Sequence, residues 1–180
     1  MLGKLFFTIY ALPLPLVLIM LPLAVILWTG VVLSLREKAP FDRIVSLVLF
    51  LLSLLGIFYV TTYRGPVKYS VLILRPFQCL EEAKIQPEIY RSMLMNVLLF
   101  FPFGLFLPYV FSERVKHPVR VTLCFALVCS ITVEAVQYIF SLGRAETDDV
   151  MLNLIGTGFG SLSCMLTAFL ERMEPRHPAH

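Results

Sequence analysis

Five apolar stretches alternate with short polar ones along this chain. Leu5–Leu35, Ile44–Tyr63, Ser92–Ser112, Val121–Leu142 and Val150–Leu170 each have the length and apolar content of a membrane-crossing helix. Four of them contain no Asp, Glu, Lys or Arg, and Val121–Leu142 contains a single one, Glu134. The first stretch is too long for one upright span and too short for two with a turn, and Pro13, Pro15 and Pro22 interrupt it. It predicts one helix over roughly residues 14–35, led by an interfacial segment. Proline is tolerated both in a first turn and inside membrane helices. The run has no clear cleavage site, which favours a retained helix over a signal peptide. The pattern therefore predicts an all-α, polytopic membrane helix bundle with about five transmembrane helices. Tyr59, Tyr63, Tyr109 and Tyr138 fall near segment ends, where aromatic rings favour the membrane interface.

The connections differ in kind. Arg36–Arg43 and Glu113–Arg120 are short and basic, and Ser141–Asp149 is short and acidic. Arg64–Arg91 is long, mixed in charge, and has an apolar middle, "VLILRPF". If the N-terminus is outside, eight Lys or Arg lie inside and seven outside. The positive-inside rule then rests on the two short basic loops falling inside together. Repeats and low-complexity tracts are absent from the sequence.

Composition sharpens this picture at a few points. The chain is 58% hydrophobic and 15% charged, against about a quarter charged in soluble domains. A net charge of +3, scattered along the chain, gives no reason to expect nucleic-acid binding. Of four cysteines, Cys124, Cys129 and Cys164 lie in apolar runs and read as packing residues, while Cys79 lies in a polar segment. No CxxC pair or Cys/His cluster points to zinc or a disulfide framework. A catalytic thiol at Cys79 would need a histidine, and none is near it in sequence.

The polar residues inside and beside the spans converge. The third segment begins on the membrane side where the fourth ends and the fifth begins, whichever way the protein sits. Asn96, Glu134, Gln137, Arg144, Asp148, Asp149 and Asn153 all fall near that one face, and they form the candidate ligand-binding set. Glu134 is the hardest to explain, because an ionisable group inside a span costs a few kcal/mol to insert. Gln137 lies on the same helical face; Glu134 marks a site, or it belongs to a Glu–Gln hydrogen-bonded staple between helices, or it is kept protonated by desolvation. Asp148 and Asp149 suit a helix N-terminus, where carboxylates cap free amides. They also allow a divalent cation, since Mg2+ and Ca2+ take oxygen ligands; no other cofactor is expected. Arg144 is placed to pair with Asp148 if the loop turns helically, and Glu146 reads as solvated. Asn96 is either a helix cap or a partner for the Glu134 and Asn153 groups.

Gly156 and Gly160, extended by Cys164, form a small-xxx-small face that lets helices approach closely, and Gly158 lies between them. Asn153 lies on the same face, directed at the helix contact. Pro102 is expected to kink the third segment, with Gly104 relieving crowding there.

"NVLLFFPFGLFLP" (96–108), "VEAVQ" (133–137) and "GRAETDDVMLNLIGTGFG" (143–160), in this order and spacing, resemble the VanZ-like family of bacterial membrane proteins, and "LRPF" (74–77) resembles a shorter element that precedes them. The resemblance covers about residues 70–170. It implies four spans over 44–176, with residues 1–43 adding an N-terminal transmembrane helix and basic loop. It implies a multi-pass protein of the bacterial cytoplasmic membrane, related to one linked with low-level resistance to the lipid-tailed glycopeptide teicoplanin. It also places the shared motifs near the external face. The expected partners are the lipid bilayer and either a lipid-linked cell-wall precursor or a glycopeptide drug. The residues leave open an intramembrane enzyme acting on a lipid-linked or phospholipid substrate, with Glu134, Asp148 and Asp149 as candidate catalytic groups. They also leave open an accessory subunit in which the cluster serves assembly.

Overall fold

The computed structural model describes residues 14–35, 40–63, 70–86, 88–111 and 114–173. Five long helices carry the fold: α1 (Leu14–Leu35), α2 (Phe41–Tyr63), α4 (Glu88–Phe111), α5 (Pro118–Ile139) and α6 (Thr147–Met173), with a short α3 (Gln78–Ile85) between α2 and α4. All five are long and apolar enough to cross a membrane, and the protein is a membrane-spanning helical bundle. The interfacial segment expected before residue 14 and most of the first basic loop lie outside the described residues.

Helix ends depart from the apolar runs where polar chemistry extends or stops a helix. α6 begins at Thr147, so Asp148 and Asp149 occupy its first turn rather than preceding it. α5 begins at Pro118, a residue pre-shaped for a first helical turn, and stops at Ile139. Its stop is a Schellman motif: Leu142 N donates to Gln137 O at 2.8 Å and Ser141 N to Tyr138 O at 3.3 Å, with Ser141 left-handed at φ 50°. α4 begins at Glu88, so Asn96 sits two turns inside a helix and is not a cap.

The bundle is inverted relative to a soluble one. α5 turns Thr122, Ala126, Ser130, Glu134 and Gln137 inward, one narrow stripe at helical spacing. α6 likewise buries Asn153, Thr157, Ser161, Ser163 and Thr167 together with Gly156 and Gly160. Large apolar side chains such as Leu52, Phe58, Val128 and Phe169 point outward. Apolar surface gains nothing by leaving lipid, so small residues and internal hydrogen bonds decide which faces meet.

The most extensive helix pair is α4 with α6. A Cβ added at Gly156 would fall on the Val97 carbonyl, one at Gly160 on the Phe101 carbonyl, and one at Gly104 on the Thr157 carbonyl. The Val97–Gly156 and Phe101–Gly160 contacts ascend together, so α4 and α6 run parallel, as the alternation of spans predicts. Gly158 meets nothing within 4 Å and lies off the seam, about 160° round the helix from Gly156 and Gly160. Gly104 therefore does more than relieve a proline: it is the α4 half of the seam. α4 continues as a helix through both Pro102 and Pro108.

α2 closes one side of α4 through Ile57, Phe100, Phe103 and Leu107, with Phe50 edge-on to Phe103 at 5.0 Å. α1 closes the other through Val25 against Phe101 and Leu105, and Trp28 edge-on to Phe106 at 4.9 Å. A chain of hydroxyls joins α1, α4 and α6: Thr29 to Ser163 at 3.0 Å, Ser163 to Tyr109 at 2.6 Å, and Tyr109 to Thr167 at 2.9 Å. Tyr109 is only 1% exposed, so the ring expected at the membrane interface is a core residue.

One feature of the polar face is not helical. Val71–Ile73 (β1) and Arg144–Glu146 (β2) pair in parallel, with Leu72 opposite Ala145. The connection read as an acidic loop is thus a strand that ties the α2–α4 segment to the start of α6.

Candidate functional site

The α5–α6 connection is held from both sides. From below, Glu134 Oε2 accepts the Glu146 amide at 2.9 Å, at the point where β2 ends and α6 begins. Glu134 lies five residues before the end of α5, about 7 Å along the axis, so it serves the polar face rather than the middle of the span. From the side, β1 pairs with β2 and Thr147 Oγ1 reaches the Ile73 carbonyl at 3.4 Å.

Asp148 reaches across to α3. Its Oδ1 accepts the Phe77 amide at 2.6 Å and its Oδ2 the Cys79 amide at 2.8 Å. α3 has no side-chain cap of its own, and Phe77 at its N-cap is left-handed at φ 64°. A bulky residue in that region costs energy and persists only where the surroundings impose it. Asp148 does so, satisfying two orphan amides of a helix that begins some 70 residues earlier in the chain. This joins the "LRPF" element physically to the acidic pair. Cys79 is buried beside Asp148, and burial and then that carboxylate push its thiol up to about 12. A raised thiol disfavours the thiolate, the nucleophilic form.

Arg144 does not pair with Asp148. Its guanidinium bridges Glu82 of α3, at 3.1 and 3.2 Å to the two carboxylate oxygens, and Glu146, at 2.9 Å. Glu146, expected to be solvated, has a side chain only 15% exposed. The Arg144 bond, and then Gln78 Nε2 at 2.7 Å, hold the Glu82 carboxyl below its usual range, and Glu82 in turn raises Arg144. Arg144, Glu82, Glu146 and Asp149 line one cavity of about 370 Å³, with Cys79, Ser92, Met93 and Leu142 completing the wall. Three carboxylates face one guanidinium there.

Behind the cavity lie the remaining candidates. Asn153 Nδ2 donates to Ser130 Oγ at 2.8 Å, linking α6 to α5 one turn below Glu134. Asn153 Oδ1, Gln137 Oε1 and Asn96 Nδ2 are buried and make no hydrogen bond to a described residue. Asn96 precedes Val97, which meets Gly156, and Asn153 precedes Gly156 by one turn, so both stand at one level of the seam. Gly104, Gly156 and Gly160 belong to the helix packing beneath, and Pro102 lies within α4 two residues before Gly104. As for a cation, both Asp148 oxygens are engaged by amides, and among the described residues no three His, Cys, Asp or Glu side chains are grouped to hold one.

The geometry and the sequence motifs coincide: all four quoted stretches meet at this one face. The family model for VanZ/LLP1 matches residues 44–169, from early α2 almost to the end of α6. The chain belongs to the VanZ/LLP1 family. It is 39% identical over 71 residues to Protein VanZ of Enterococcus faecium, a stretch covering 39% of this chain and 42% of that protein. The aligned part thus spans less than half of that relative. No solved structure matches. The VanZ/LLP1 match begins after α1, although α1 packs on α4 and α6.

Sequence reasoning missed Glu82, Cys79 as a wall residue, and the β1–β2 pairing. A trace of Glu82 was present. It stands four residues after Gln78 in "QCLEEAKI", the spacing of neighbours on one helical face. Nothing local points to Arg144 as its partner.

Proposed function

We propose that this VanZ/LLP1 member modulates susceptibility to lipid-tailed glycopeptides such as teicoplanin, from the external face of the bacterial cytoplasmic membrane. It does so by holding the drug, a lipid-linked cell-wall precursor or a lipid headgroup in the Arg144 cavity. The observation that carries this reading is the cavity itself. Its walls come from α3, α4, β2 and the first turn of α6, the elements that contain or adjoin the family motifs. An excess of carboxylates over one guanidinium suits a ligand that presents cationic or hydrogen-bond-donating groups. Arg144 offers donors in return if a ligand displaces one of its two carboxylate partners.

Enzyme chemistry at this site is the weaker reading. The described cavity walls contain no histidine, the Cys79 thiolate is disfavoured, and Asp148 is committed to two backbone amides. Glu134 is likewise engaged in holding the Glu146 amide. Fixed carboxylates of this kind shape a binding site.

The test is expression in a susceptible strain, with teicoplanin and vancomycin compared against an empty vector. A rise in the inhibitory concentration of teicoplanin, larger than that of vancomycin, is expected. No shift for either drug would remove the resistance reading for this member.

A further inference from the structure

A second cavity, apolar but edged by basic residues, lies at the opposite end of the bundle and plays no part in the site above. It is about 470 Å³, open between the start of α5 and the last turns of α6. Its rim carries Lys116, His117, Arg120 and Arg172, and its floor includes Met165 and Phe169. No carboxylate lines it, and among the described residues Lys116, Arg120 and Arg172 form no ion pair. The two lower residues are more than half exposed, Met165 at 57% and Phe169 at 58%, on helix surface that faces lipid.

We propose that this cavity binds an anionic phospholipid, with its phosphate among Lys116, Arg120 and Arg172 and an acyl chain against Met165 and Phe169. Three observations support that occupant together. Among the described residues these cations have no carboxylate partner, so a bound phosphate adds attraction without displacing one of them. They stand where two spans end, the depth at which lipid phosphates lie. The floor below them is apolar and continuous with the lipid-facing surface, which suits a chain and not a free anion. The first turn of α5, which has no acidic residue and no side-chain cap, adds amides of favourable sign. Arg contributes more than charge here, since its planar donors match two phosphate oxygens at once.

This inference is independent of the glycopeptide reading, because it concerns the other membrane face. The test uses the purified full chain in neutral detergent with equimolar phosphatidylglycerol and phosphatidylcholine, and native mass spectrometry counts the lipid retained. Retention of phosphatidylglycerol over phosphatidylcholine by about tenfold or more is expected. The double variant Arg120→Gln/Arg172→Gln loses that preference, while Arg75→Gln, at the opposite face, keeps it. If the double variant does not fold, Lys116→Gln is read instead and weakens the preference. Equal retention of the two lipids overturns the proposal, as does an undiminished preference in the rim variants. Displacement of the lipid by millimolar inorganic phosphate would also overturn it, by showing a simple anion site with no role for the chain.

Discussion

The seam between α4 and α6 and the polar junction at the start of α6 fix the same helix by different means. In the seam, three glycines bring backbone against backbone, Gly156 on Val97, Gly160 on Phe101 and Gly104 on Thr157, and hydrogen bonds such as Ser161 Oγ to the Gly104 carbonyl at 3.3 Å follow from that approach. At the junction, a few residues reach partners far along the chain. Asp148 caps α3, Arg144 bridges Glu82, and Glu134 holds Glu146 from a preceding helix. The seam supplies position, with no ionisable side chain at its glycine contacts. The junction depends on that position and adds a cavity with charged walls. A membrane protein has little hydrophobic force to bring helices together, so close packing must come first and polar groups can then be spent on recognition.

The largest expected effect breaks the seam and leaves the junction residues intact. Gly156→Leu puts a branched side chain into the Val97 carbonyl, backbone that cannot step aside, so the yield of monodisperse protein is expected to collapse. Gly158→Ala, two residues on and facing open space, is expected to leave yield and melting temperature unchanged or slightly raised, since Ala favours helix by about 1 kcal/mol. Equal damage from both would mean that the seam is not where the backbone contacts place it.

The next effect loosens the junction and spares the seam. Asp148→Asn keeps one carbonyl oxygen and loses the charge, so one of the two α3 amides is left without its acceptor. A cost of about 1–3 kcal/mol is expected. Hydrogen exchange is expected to rise at residues 77–85 and stay slow at 97–109 and 156–167. Faster exchange throughout would show that junction and seam unfold as one unit.

These two regions were unequally legible in the sequence. The spans were plain, because lipid demands long uncharged runs. The Gly156–Gly160 face was plain too, because close approach requires small residues at i and i+4. Its partners Val97 and Phe101 were not, since any helix face with a smooth backbone would serve. The junction was legible as a place and not as a mechanism. The alternation of spans brought Asn96, Glu134, Arg144, Asp148, Asp149 and Asn153 to one face. An aspartate in a first helical turn, however, has the same local pattern whether it caps its own helix or another. Three-residue strands more than 70 residues apart show no period that a sequence can reveal. Tyr109 misled for a related reason: a tyrosine near a helix end suits the interface equally well, and the hydroxyls of Ser163 and Thr167 that bury it lie in a different helix.

Smaller effects separate the parts of the junction. Cys79 is expected to react with a maleimide far more slowly than a free thiol at pH 8, and to become reactive in Asp148→Asn as α3 loosens. Fast labelling of the wild type would contradict the burial that pushes its thiol up to about 12.

The smallest effect is a pH dependence. Glu82 is held below its usual range by Arg144, so its contribution is complete above the ordinary glutamate value and is lost as pH falls through the depressed folded value. The wild type is therefore expected to melt slightly higher than Glu82→Gln at pH 7, by about 1 kcal/mol or less for a partly exposed pair, and the gap is expected to close in acid. A gap that persists unchanged at pH 2 would assign it to packing instead.

The central claim is that the cavity walled by Arg144, Glu82, Glu146 and Asp149 does the work of this protein, on a scaffold set by the glycine seam. The most direct measurement is the teicoplanin inhibitory concentration in cells expressing wild type, Arg144→Ala or Gly158→Ala at matched membrane levels. The account expects protection by the wild type and by Gly158→Ala, and loss to the empty-vector value in Arg144→Ala. Full protection by Arg144→Ala would contradict it.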